Sequence, residues 1–149
     1  MKRLPWHPAI VHFPLACWVL ATLLDLAHLF ALDARIGQLD ASAAAALLLW
    51  FGLAAALAAV AAGLADYLAQ PRAVQDAPEL TWHITWMSIA LLLFFGAALW
   101  RLRLPVFAAP LAWYVTGLEI CGSLCLVIGG HYAAIVVYRR MASPPSCER

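Results

Sequence analysis

Four apolar runs, each long enough to cross a bilayer, constrain this chain more than any other feature. A spanning helix takes about 20 mostly apolar residues, since each adds about 1.5 Å across a hydrocarbon layer about 30 Å thick. Residues 9–32, 42–67, 80–100 and 111–138 all meet that length. Hydrophobic residues make up 66% of the 149 and charged residues 11%. A soluble domain carries about 45–50% apolar and about 25% charged residues. One core in a chain of this size could not hide so much apolar surface from water. The expected fold is all-α: an integral membrane four-helix transmembrane bundle over residues 1–141. A flexible polar tail rich in Pro and Ser follows over 142–149.

The breaks between runs have local causes. Asp33, Arg35 and Gly37 make the first polar connection. Pro71 cannot continue the second helix. Asp76, Pro78 and Glu79 read as a helix start, with an acidic cap, an early proline and an acid in the first turn. Arg101, Arg103 and Pro105 close the third helix, and Pro110 can open the fourth. No internal repeat is evident. Met1-Lys2-Arg3 before an apolar run suggests a signal peptide. The run is too long, however, and holds Asp25 and His28, so it is expected to stay as the first span.

With four spans both termini share a side. That side collects Lys2, Arg3, Arg72, Arg139, Arg140 and Arg149, and the other Arg35, Arg101 and Arg103. Lys and Arg concentrate on cytoplasmic loops, so both termini are expected in the cytoplasm. Trp6, Trp50, Trp82, Trp86, Trp100 and Trp113 suit interfacial belts.

Several function classes fall away. A net charge of +1 without a basic stripe leaves no footprint for nucleic acid. Cys17, Cys121 and Cys125 lie in apolar runs, where Cys acts as a small hydrophobe. With Cys147 they form no CxxC or CxxCH pattern. No nucleophile–base set, phosphate loop or zinc-protease motif is visible, so no enzyme is expected.

Between helices in lipid, small residues allow the close approach that burial of Leu cannot drive. Ala45, Gly52, Ala56, Ala59 and Gly63 fall on one stripe of the second helix, and Gly122, Gly129 and Ala133 on one of the fourth. Ionisable groups inside spans usually face the bundle interior. Alternating helix direction sorts them into two levels. The inner, cytoplasmic level holds His7, His12, Asp66, His83 and His131. The outer level holds Asp25, His28, Glu119 and Arg101, where an Arg101–Glu119 or Arg101–Asp25 pair is expected. Glu119 shares its stripe with Ala112, Thr116, Ser123 and Gly130.

Three readings of the inner level stand open. The histidines can cap helix ends and bond backbone carbonyls. They can hold a b-type haem, with His83 and either His12 or His131 as axial ligands. They can form a proton- or ion-handling site with Asp66 and Glu119, since imidazole titrates near neutral pH. A copper or other metal site is a further reading beside these three. Pro14 also frees the Ile10 carbonyl for an imidazole or a cavity.

His7-Pro8-Ala9-Ile10-Val11-His12-Phe13-Pro14-Leu15 resembles the opening motif of a bacterial membrane family catalogued as domain of unknown function 2231. Asp25, Ala61-Ala62-Gly63-Leu64-Ala65-Asp66-Tyr67, His83 with an arginine after it, and Gly129-Gly130 follow in that family's order. The likeness covers nearly the whole chain. It departs after Gly130, where His131-Tyr132 stand in place of a short Leu-Val-Tyr-like stretch. The resemblance implies a four-helix protein of the bacterial inner membrane without assigned activity. Some members of that family carry a fused Rieske-type domain, which implies electron transfer nearby; the Cys and His spacings here do not fit one. The expectation is therefore a small redox-associated subunit binding haem b or a metal near the cytoplasmic face, through His83 with His12 or His131. Its partners would be the lipid bilayer and a redox partner or other membrane subunits. A cofactor-free assembly partner or proton-handling subunit is the alternative.

Overall fold

The structure, a computed structural model, describes residues 7–30, 35–36, 39–102 and 109–142. Hydrocarbon offers backbone N–H and C=O groups no partner, so each apolar run satisfies its own as helix. Among the described residues four helices are long and apolar enough to cross a membrane, as expected. The first span is α1 (His7–Ile10) and α2 (His12–Leu29). Between them Val11 keeps helical dihedrals, φ −62° and ψ −25°. The interruption follows from Pro14, which has no N–H to donate to the Ile10 carbonyl.

A two-residue antiparallel ladder, β1 (Arg35–Ile36) with β2 (Leu39–Asp40), occupies the first connection. Asp40 then caps α3 (Ala41–Leu68), its Oδ1 accepting from the Ala43 amide at 2.7 Å. The helix thus begins one residue before the expected Ser42, on a cap that an Asp ahead of an apolar run could have signalled. One further turn, α4 (Arg72–Gln75), follows Pro71. Gln75 Nε2 donates to the carbonyls of Tyr67 and Gln70, both at 3.0 Å, at the end of α3. α5 (Pro78–Leu102) starts on its proline. Asp76, expected as its cap, instead closes α4 with its amide on the Arg72 carbonyl at 2.8 Å. α6 (Ala109–Ala142) has Pro110 in its first turn. Trp6, Arg103, Cys147 and most of the polar tail lie outside the described residues.

α2 packs most extensively on α3, and α5 on α6; lesser α2–α6 and α3–α5 contacts close a ring. At its centre the Trp18 and Phe94 rings stack, centroids 4.5 Å apart and 11° from parallel. Glycine makes the room on both sides. A Cβ on Gly52 would meet the Trp18 indole at 2.5 Å, and one on Gly122 the Phe94 ring at 2.7 Å. Ala45, Ala56 and Ala59 are buried beside Gly52, so the expected small stripe of α3 does face inward. Leu57, Leu92, Leu124 and Val127 face out, as lipid-covered residues would.

Candidate functional site

The last turn of α2, the start of α3, the last turn of α5 and the first part of α6 meet at one end of the bundle. Here Asp25 and Glu119 are both 0% exposed, with Arg101 between them. One guanidinium nitrogen, Nη2, is hydrogen-bonded to Asp25 Oδ2 and stands 3.8 Å from Glu119 Oε1. The other, Nη1, donates to the Ser42 carbonyl at 3.0 Å. Both pairings expected of Arg101 are therefore present in one cluster. The planar fork of arginine suits this, since it reaches several oxygens at fixed angles.

With all three ionised, Asp25, Arg101 and Glu119 carry a net −1 between them. Asp25 Oδ1 and both Glu119 oxygens are buried without a hydrogen-bond donor among the described residues. An uncompensated charge in such a place costs several kcal/mol. A single bound proton brings the three groups to neutrality.

A polar seam leads inward from the cluster between α2 and α6. Thr22, one turn before Asp25, donates to the Trp18 carbonyl at 2.9 Å. Its Oγ1 lies 3.4 Å from Ser123 Oγ, one turn beyond Glu119. With the Thr22 proton so committed, Ser123 is the donor between them. Thr116 is buried one turn the other way on α6. The seam ends at the Trp18–Phe94 stack, where Trp18 Nε1 is itself buried without a hydrogen-bond partner among the described residues. Thr22 is absent from the residues expected at the site, though its spacing of three from Asp25 places it on the same face. His28, also three away, points to the exposed side instead.

The histidine level is built differently. His7 Nδ1 donates to the Ala59 carbonyl at 2.8 Å, joining α1 to α3. His83 Nδ1 donates to the Gly129 carbonyl at 2.8 Å, joining α5 to α6. His12 is exposed, its Nδ1 donating to the Pro8 carbonyl of its own span at 2.6 Å. His131 is exposed, its ring centroid 5.9 Å from that of Tyr132 and the two planes 67° apart. No hydrogen bond or ring contact joins His12, His83 and His131, and among the described residues no three His, Cys, Asp or Glu side chains group to hold a metal ion. Asp66 is half-buried near the end of α3. Glu79, in the first turn of α5, pairs with Arg139 of α6.

The family model described as "Predicted membrane protein (DUF2231)" matches residues 3–142. Neither a curated protein nor a solved structure matches the chain.

Proposed function

The chain belongs to the DUF2231 family of predicted membrane proteins, and from that premise we propose that it is a cofactor-free, proton-handling subunit of the membrane. Asp25, Arg101 and Glu119 form the site that takes up and releases the proton. One observation carries this reading: two fully buried carboxylates share one guanidinium inside a membrane span. Ionisable groups at such depth are costly and mark proton or ion sites by default. In this reading the protein sits in the bacterial inner membrane with both termini cytoplasmic. The Lys and Arg distribution supports that orientation and puts the cluster toward the outer face.

Axial haem ligation asks for two imidazoles facing one buried space. His12 and His131 are exposed, and no hydrogen bond or ring contact brings either of them to His83. The geometry therefore favours the carbonyl-bonding role for the histidines over haem or metal.

The test is infrared difference spectroscopy of the protein in liposomes across a pH jump. A carboxylic C=O band should appear with proton uptake and be lost in Glu119→Gln or Asp25→Asn. A band untouched by both substitutions, or no band at all, would sink the proposal.

A further inference from the structure

We propose that the four spans are two copies of one helical hairpin, facing each other across a pseudo-two-fold axis on which the Asp25–Arg101 pair and the Trp18–Phe94 stack lie. The proposal stands whether or not the cluster takes up a proton.

The numbers carry it. A spacing of 76 residues separates His7 from His83, Trp18 from Phe94 and Asp25 from Arg101. Each pair plays one part. The two histidines donate through Nδ1 to a carbonyl of the next long helix, both at 2.8 Å. The two aromatic rings press on a glycine of that helix. The two charged residues bond each other. On the accepting helices a second constant spacing appears. Seventy residues separate Gly52 from Gly122 and Ala59 from Gly129, which are the ring seats and the carbonyl acceptors. Burial follows the same registers: Pro14 with Ala90, Ala21 with Ala97, Ala45 with Val115 and Ala56 with Leu126 are all buried. The shorter second spacing means that six fewer residues separate Arg101 from Val115 than separate Asp25 from Ala45.

The contacts have the form an axis requires. At a two-fold interface a residue on the axis meets its own equivalent. Trp18 stacks on Phe94 and Asp25 bonds Arg101, each on its counterpart. α2 and α5 run in the same direction, because their C-terminal turns meet in the cluster. The axis therefore lies along the membrane normal, the arrangement of a parallel repeat.

The copies differ where the chemistry is. Glu119 corresponds to Leu49, both fully buried, and Thr22 and Ser123 correspond to Ala98 and Leu53. The polar α2–α6 seam thus faces an apolar α3–α5 seam across the axis. There Trp50, Leu57, Leu91 and Phe95 line a groove of about 360 Å³.

Transposing the cluster across the axis tests this in the full chain. Four changes are made together: Asp25→Arg, Arg101→Asp, Leu49→Glu and Glu119→Leu. Under the proposed relation this rebuilds the same three-charge contact in the opposite hairpin. The folded-to-unfolded ratio in detergent should exceed, at least tenfold, the value expected from adding the losses of the two double variants, Asp25→Arg/Arg101→Asp and Leu49→Glu/Glu119→Leu. Simple additivity, or worse, overturns the proposal. Should none of these fold, Ala21→Cys with Ala97→Cys decides the matter, in a background with the native cysteines replaced by alanine. A short thiol cross-linker should join them within one chain in the bilayer, and failure to do so overturns it. Infrared spectra of the transposed protein report on proton uptake separately, so loss of that signal with stability kept counts against the function alone.

Discussion

The two ends of the bundle use the same kinds of residue to opposite effect. At one end Asp25, Arg101 and Glu119 are dry and hold the two hairpins to each other. At the other, His7 with Ala59, His83 with Gly129 and Glu79 with Arg139 each tie together helices of a single hairpin. The first end therefore clasps the halves, and the second only staples each half to itself. Burial differs as sharply: the Arg139 side chain is 69% exposed, while that of Arg101 is 7% exposed. Water and headgroups screen a pair at the histidine end, whereas in the cluster loss of Arg101 leaves bare carboxylates in a low dielectric.

The largest effect should come from Arg101→Met. It strips the guanidinium from two buried carboxylates and is expected to cost about 3–5 kcal/mol. Chemical or thermal unfolding in detergent measures it, and Asp25→Asn added to Arg101→Met should recover part of the loss. A mild effect of Arg101→Met alone would remove the contrast between the ends. Next comes the centre that both ends share. Gly122→Val drives a branched side chain into the Phe94 ring and should cost about 1–3 kcal/mol by overpacking. Phe94→Leu in the same chain should recover much of that.

His83→Ala deletes one bond to the Gly129 carbonyl, and interhelical bonds of this kind in membrane proteins are worth about 0.6 kcal/mol on average. His7→Ala should cost a similar amount, since the two bonds are equivalent; a several-fold difference between them would weaken the repeat. Smallest of all, Glu79→Gln should change stability by less than about 1 kcal/mol, and salt at about 0.5 M should erase the difference, as for other exposed pairs. Arg101→Met should keep its full cost at that salt concentration, which makes the salt series the most direct comparison of the two ends.

Much of this architecture was legible in the residues. Run length alone gives four spans, and Arg101 near the end of one span with carboxylates at matching depth predicts its pairs. The small stripe of α3 is readable because Gly and Ala recur at helical spacing. Helix rotation was harder to read. In water an apolar stripe marks the inner face, but in lipid the outer face is apolar as well, so periodicity fades. His12 and His83 look equally embedded by depth, yet one is exposed and the other reaches across to a neighbouring helix. The duplication hides for the same reason. The copies preserve burial, small-residue seats and hydrogen-bond roles, while Trp18 against Phe94 and Asp25 against Arg101 share little as letters.

Sequence by itself determined that four helices are long and apolar enough to cross a bilayer and at which turns along them the charges lie, because hydrocarbon thickness and backbone hydrogen bonding set the length and form of a span. Tertiary structure alone decided which charges are dry. That depends on how each helix is turned about its axis, and the turn is set by the glycine seats under Trp18 and Phe94 rather than by the hydrophobicity of any single span.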